Sequence, residues 1–539
     1  MTRFKKYLSF FFILWIGLVL WQCARRGNPS GGPKDITPPE LLRTVPKNFS
    51  TEFKGNTIRL FFDEYIKLED VQNQLIISPP LKYLPEIKPQ GGVSKQVEVI
   101  IKDTLKENTT YTLNFGQSIV DNNEGNPNSF LTYVFSTGTY IDSLTLSGAV
   151  KDAYNKKADE FISVMLYEID TAFTDSTIFK RPPNYITNTL DSLPIFELKN
   201  LKAGKYKLVA LKDLNKNNLF DQRQDKIGFV EDTITIPTDS IYLLNLFQEI
   251  PNYNASVPSY VAKNRIIFGY QGLPEEITIE SLTELPDSVR TTILKDRERD
   301  TLNYWLTPTD LDSIIFLVEN KVLEQKDTFT VKTRKLALDS LLLSNSVKGR
   351  LGFEETFSIQ SNTPITKVDT AHIEFLVSDT LPYQYSYTLD SIKNQIDFDF
   401  EKEPNQSYTF NLTPGAITDF FGFENDSLSY RLSIGSLADF GNLRVNLSGA
   451  VRYPMIVQLT DEQGETQREV ILENPAPVEF NNLDPASYMI RVIFDANANG
   501  MWDTGSYLKK VQPEKISYFP DVIQIRANWE LEQSFIISE

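Results

Sequence analysis

Cysteine and histidine are almost absent from this chain, with one of each in 539 residues, Cys23 and His372. A single copy cannot supply a disulfide framework, a His-rich zinc site or a catalytic triad built on histidine. His372, in TAHIEFLV, stands at the start of an expected strand and reads as structural. Positive charge is also short: 54 Lys and Arg face 71 Asp and Glu, a net charge of −17. Binding nucleic acid takes a basic surface that displaces phosphate counterions, so no nucleic-acid partner is expected. The acidic balance reads as a solubilising surface. No long stretch repeats apolar residues at spacings of three and four, so helices should be few and short.

What is abundant is Tyr, Phe, Thr, Ile and Val in short runs broken by Pro, Asn, Asp and Gly, the composition of an all-β protein. The length requires several cores. One stretch occurs twice: residues 200–221, NLKAGKYKLVALKDLNKNNLFD, recur without a gap as residues 482–503, NLDPASYMIRVIFDANANGMWD. Asp213, Asn215, Asn217 and Asp221 match Asp495, Asn497, Asn499 and Asp503, and Tyr206 matches Tyr488. An SGAV segment precedes each copy. Gly148 and Gly449 are 301 apart while the later landmarks are 282 apart, so the first copy holds a 19-residue insertion, expected in the polar residues 171–191.

The N-terminus carries Arg3, Lys5 and Lys6, then an apolar run over residues 7–20. The run is short for a membrane span, which needs about 20 residues, and has the flanks of a signal peptide, residues 1–22. The sequence LWQC, ending on Cys23, resembles the lipobox of bacterial lipoproteins, with Leu20 at the apolar position and Trp21 and Gln22 departing from the common small residues. The resemblance implies that Cys23 becomes the first mature residue and carries lipid, the chain's partner being then the membrane. Each buried methylene of such a lipid contributes about 0.8 kcal/mol. Residues 23–39, rich in Gly and Pro, read as a tether. Ala24 after the cysteine implies the outer membrane. Arg25 and Arg26 leave open whether the protein faces the periplasm or the surface.

Five modules follow. Residues 40–140 resemble the bacterial Ig-like domain of the SbsA type: an I-x-L-x-F-x-E strand from Ile58 to Glu64, an I-S-P element from Ile77 to Pro79, L-x-x-N-T-x-Y-T ending at Thr112, a D-x-x-x-G-N turn from Asp121 to Asn126, and F-S-T-G from Phe135 to Gly138. Tyr111 has the place of a tyrosine corner. Residues 141–250 and 438–539, which contain the two copies, resemble small prealbumin-like or carboxypeptidase-regulatory-like β-sandwiches. Residues 258–336 read as a degenerate sandwich after a linker at 251–258. Residues 343–437 read as an Ig-like sandwich in which Tyr408 and Asn411 take the places of Tyr111 and Asn114. The order of features, from LWQC to the closing RANWE, resembles Ig-like-domain lipoproteins of the Bacteroidetes. The expected fold is therefore all-β, a tandem array of Ig-like and smaller prealbumin-like sandwiches.

The duplicated loop is the place to look for a ligand. D-x-N-x-N-x-x-x-D sets oxygen side chains at positions one, three, five and nine, as in EF-hand-type calcium loops. Asn218 and Gly500, at position six, tolerate a left-handed turn. Position twelve should be a bidentate acid and is Gln224 or Ser506; Asp225 comes one residue late, and the second copy shows no acid there. The loops thus read first as turns tied by Asx hydrogen bonds, with calcium at Asp213, Asn215, Asn217, Asp221, Asp495, Asn497, Asn499 and Asp503 as the alternative. No paired-carboxylate motif of the glycosidase kind emerges and no other cofactor is implied, so no enzymatic activity is expected. The expected function is a lipid-anchored envelope scaffold, spacer or protein-binding module. The alternative is a carbohydrate- or peptidoglycan-binding lipoprotein using Trp305, Trp502 or Trp529.

Overall fold

The computed structural model describes residues 35–537, apart from 130, 190–192, 274–275, 348 and 450; Cys23 and the signal segment lie outside the described residues. Strands dominate. Among the described residues one four-residue α-helix, Val71–Gln74, and three 3-10 turns make up the helical content. The chain is an all-β tandem array of sandwiches, and it divides into two compact units: residues up to 144 with 199–202, and 145–198 with 203 onward.

In the first unit the pleat decides the layers. Strand Thr57–Leu68 turns Ile58, Leu60 and Phe62 into the core, beside Val97 and Val99 of Ser94–Ile100. Burying each such side chain contributes about 1.5–3 kcal/mol. The alternate positions face outward, where Arg59 pairs with Glu98 at 2.9 Å and the Arg43 guanidinium covers the Phe61 ring at 3.9 Å. Strands Leu41–Val45, Thr57–Leu68, Ser94–Ile100 and Glu86–Lys88 form one sheet, with Ile119–Asp121 added to the second of them; Ile76–Ser78, Thr110–Asn114 and Thr132–Ser136 form the other. The tyrosine corner is present: the Tyr111 hydroxyl accepts the Lys106 N–H at 2.9 Å. Asp121 accepts N–H bonds from Asn123, Glu124, Gly125 and Asn126, an Asx-tied turn. Burial alone would raise its pKa; those four donors outweigh that and hold it below the usual range.

The second unit holds four sandwiches. The two small ones share a strand plan. In one, Tyr185–Asn188, Ser163–Glu168, Gly204–Lys212 and Lys226–Phe229 pair in order, and Tyr242–Gln248 runs parallel to Leu144–Asp152. In the other, Thr466–Leu472, Met455–Thr460, Ser487–Phe494 and Ile516–Tyr518 pair in order, and Glu530–Ile537 runs parallel to Gly441–Gly449. Strand register locates the insertion and corrects its expected place. Val164 faces Ala210 as Val457 faces Val492, an offset of 293, and Thr187 faces Val164 as Val470 faces Val457, an offset of 283. The opening strands Leu144–Asp152 and Gly441–Gly449 set Gly148 against Phe196 as Val445 faces Val478, an offset of 297, so four extra residues precede Ser163–Glu168, and ten lie between it and Tyr185–Asn188.

Between these lie the third and fourth sandwiches. The third is built from Ser259–Ala262, Arg265–Gln271, Thr301–Leu306 and Thr291–Lys295 in one sheet and Ile277–Ser281, Ser313–Asn320 and Gln325–Lys332 in the other. The expected linker at 251–258 is partly sheet, since Asn254–Ala255 pairs with Arg265–Gln271. In the fourth, Phe357, Phe375, Phe398, Tyr408 and Phe410 fill the core, and the Tyr408 hydroxyl accepts the Glu403 N–H at 2.9 Å and donates to the Glu401 carbonyl at 3.2 Å, repeating the Tyr111 corner. His372 closes the turn Thr370–His372 before strand Ile373–Val377, its Nδ1 3.0 Å from Thr413 Oγ1. Replacing Tyr408→Phe strands the half-buried Glu403 N–H and Glu401 carbonyl. A loss of about 1–3 kcal/mol is expected, read as a lower unfolding midpoint of the full chain.

Candidate functional site: the duplicated loops and the contact between the small sandwiches

Both loops wind around their own main chain. In the first, Asp213 Oδ2 accepts the Asn218 N–H at 2.7 Å, Asn217 Oδ1 accepts Leu219 N–H at 2.8 Å and Asp221 Oδ1 accepts Arg223 N–H at 3.1 Å. Asn215 stays exposed. In the second, Asp495 accepts Asn499 and Gly500 N–H at 3.0 and 2.8 Å, while the Asn497 and Asn499 amides donate to Asp503 Oδ2 at 2.6 and 2.8 Å. The left-handed positions repeat as well: Lys216 and Asn218 at φ 54° and 58°, Ala498 and Gly500 at 60° and 75°.

A residue that sequence spacing missed completes each loop. Asp225 takes the Leu214 and Asp221 N–H groups, both at 2.9 Å. Glu514 takes the equivalent Ala496 and Asp503 N–H groups at 2.6 and 3.0 Å. Strand register explains the equivalence: Leu211 faces Ile227 as Ile493 faces Ile516, which puts Asp225 and Glu514 in the same place. The acid expected to be missing from the second copy is thus supplied by Glu514, after seven extra residues. Burial raises the pKa of both, against the lowering effect of their N–H partners. Most loop oxygens are occupied by N–H donors; Asp213 Oδ1 is enclosed without a hydrogen-bond partner. Among the described residues no three His, Cys, Asp or Glu side chains gather into a metal cage.

All of these length differences lead to one surface, the contact between the second and fifth sandwiches. The connection before Ser163–Glu168, by register four residues longer than its counterpart, carries Tyr154 and Lys156. The Tyr154 ring lies 4.8 Å from that of Trp502, and the Arg491 guanidinium covers it at 4.3 Å. Arg491, 2% exposed, donates to Tyr154 Oη at 2.7 Å, to Thr466 Oγ1 at 3.0 Å and to Gln458 Oε1. Tyr518 Oη donates to the Tyr154 carbonyl, and Lys156 Nζ reaches the Phe519 and Pro520 carbonyls at 3.1 and 2.6 Å.

The ten-residue excess carries the turn Asp175–Phe179, and the seven extra residues of the fifth sandwich form a hook closed by paired Ser506 and Val511 main-chain bonds of 2.8 and 2.9 Å. Tyr507 at the hook's tip is 1% exposed, its ring 5.2 Å from Phe229 and 6.5 Å from Phe179. Gly505 lies so close to Phe247 that a Cβ there would stand 2.6 Å from the ring. Thr504 Oγ1 donates to the Gln248 carbonyl at 2.6 Å and Gln512 Nε2 to the Phe229 carbonyl at 3.0 Å. Glu249, buried, accepts the Tyr507 N–H and, at 2.6 Å, Gln222 Nε2 from the tail of the first loop. The duplicated loops therefore run straight into the segments that join their two modules.

The tryptophans divide. Trp305 is buried against Phe421 at 6.0 Å and under Arg265 at 5.1 Å, in the contact between the third and fourth sandwiches. Trp502 packs on Tyr154 and donates to the Glu514 carbonyl at 3.0 Å. Trp529 is 45% exposed, with the Arg526 guanidinium 4.8 Å over its ring.

Residues 35–137 match the family described as a bacterial Ig-like domain. No curated protein matches the chain. Among solved structures, the S-layer protein rSbsC(31-844) is similar at 12% identity over 90% of this chain and 67% of its own, with a TM-score of 0.14. A chimeric titin Z1Z2 is similar at 13% identity over 34% of this chain and 96% of its own, with a TM-score of 0.16.

Truncating the plug, Tyr507→Ala, is expected to cost about 3–5 kcal/mol, as for a large aromatic removed from a core, read by denaturant unfolding of the full chain. Millimolar calcium is expected to leave the melting temperature unchanged, because N–H donors already occupy most of the loop oxygens. A calcium-dependent rise that Asp213→Asn abolishes would instead assign the first loop to a cation.

Proposed function

We propose that the chain is a non-enzymatic, lipid-anchored envelope protein of the Bacteroidetes type, held in the outer membrane through Cys23 and acting as a scaffold for other envelope proteins. The observation that carries the reading is the contact just described. The conspicuous buried polar groups and insertions of the second and fifth sandwiches serve module-to-module packing, and a protein whose sandwiches are locked together suits a rigid platform better than an extensible spacer. The match of residues 35–137 to a bacterial Ig-like domain supports an envelope setting, and such domains host many functions, so the role rests on the site rather than on the fold. Among the described residues no helix is long and apolar enough to cross a membrane.

Metabolic labelling with a radioactive fatty acid tests the anchor: the wild-type protein is expected to take up label and Cys23→Ala to take up none. Capture of the anchored protein from its own membranes should then return envelope proteins that Cys23→Ala no longer retains. The alternative, glycan or peptidoglycan binding, is favoured by one observation, the partly exposed ring of Trp529. It predicts glycan-array binding that falls at least tenfold in Trp529→Ala and is unchanged in Trp305→Phe, whose ring is enclosed; an array with no hits removes it.

A further inference from the structure

Glu249 is enclosed to 3% exposure where the second and fifth sandwiches meet, and its carboxylate accepts bonds from two neutral donors, the Tyr507 N–H of the hook and Gln222 Nε2. A carboxylate withdrawn from water without a countercharge is costly to keep ionised and much less costly when protonated. The Tyr507 N–H belongs to the fifth sandwich and Glu249 to the second, so this cost is incurred only while the two are in contact. We infer that Glu249 makes the contact between the small sandwiches proton-sensitive, held more tightly in acid and more loosely once Glu249 ionises. The device goes beyond the scaffold role and does not depend on which partner the scaffold holds.

The surrounding charges do not cancel the effect. On the hook, Lys510 faces Asp175 at 3.8 Å. From the second sandwich, Lys226 is held by Asp152 and Asp159 at 2.6 and 2.8 Å, and Lys207 donates to the Glu231 carbonyl at 2.7 Å. Arg223 offers its carbonyl to Gln248 Nε2 at 3.2 Å, with its side chain toward solvent. Asp221 and Asp225, from the loop carrying Gln222, are turned to their own N–H donors. Among the described residues none of these bonds to Glu249. Burial raises the Glu249 pKa, and the Tyr507 and Gln222 bonds lower it by less.

The sign follows. With the contact open, Glu249 titrates near the ordinary value of 4.5; with it closed, higher. The stabilisation is complete below the ordinary value and is lost as pH rises through the raised one, by up to about tenfold per pH unit for a single proton. Asp225 and Glu514 are raised too, but the N–H groups they accept belong to their own loops and not to the opposite sandwich.

Hydrogen exchange of the full chain, followed in peptides covering the Tyr507 amide and corrected for intrinsic rates, reads the opening directly. Protection is expected to fall by up to about tenfold per pH unit above the ordinary carboxylate value, then to level off. Glu249→Gln, neutral throughout, should hold the protection of the acid form with no such slope. Tyr154→Ala, which loosens the contact away from Glu249, should lower protection at every pH and keep the slope. A flat wild-type profile up to neutral pH overturns the inference, as does an undiminished slope in Glu249→Gln. If Glu249→Gln does not fold, the wild-type profile decides alone.

Discussion

A guanidinium brings five N–H donors and a charge that cannot be discharged, so enclosing one commits its surroundings to it. Arg491 is enclosed, and its partners come from two modules: Gln458 and Thr466 from its own, the Tyr154 ring and hydroxyl from the other. Neither module alone completes that shell. Separated, the fifth sandwich would keep a cation that has lost its aromatic cover, and the second would expose a tyrosine on an inserted segment with little beneath it. The remaining contacts, from Trp502 and Tyr518 to Lys156, gather around the same segment.

This dependence gives the duplication its sense. Two copies of one sandwich are equivalent at first, and equivalent surfaces have no reason to fit one another. Here the copies differ in length, with connections four and ten residues longer in the first and seven longer in the second, and these segments meet. Elsewhere the copies remain alike. Their strands pair in the same order, except that Lys226–Phe229 also pairs with Tyr242–Gln248 in the first, their loops turn left-handed at the same two positions, and each loop is braced by a carboxylate in the same place. The contacts between the modules are made at the longer segments.

Much of this was legible in the sequence because it is local. Alternation put Ile58, Leu60 and Phe62 on one face, the Tyr111 and Tyr408 corners lie within a few residues of their partners, and the Asp/Asn spacing marked both turns. What escaped reading depends on register across distant strands. Counting twelve positions from Asp495 assumes a loop of fixed length, whereas Glu514 arrives from beyond the hook because Ile516–Tyr518 pairs back onto Ser487–Phe494. The insertion was placed in one polar stretch because composition marks polar loops, but the longer connection at AYNKKADE resembles any turn until its partner across the interface is known. Trp305 reads the same in sequence whether open or enclosed.

The first and last strands of each small sandwich lie side by side and parallel, Leu144–Asp152 with Tyr242–Gln248 and Gly441–Gly449 with Glu530–Ile537. Where two neighbouring strands run the same way, one chain end leaves at the bottom of the pair and the other at the top. Tension applied through those ends slides the strands past one another, so the slanted bonds between them share the load together instead of parting one at a time. Each small sandwich is therefore set in the chain as a lap joint, in the orientation in which a sheet resists pulling best.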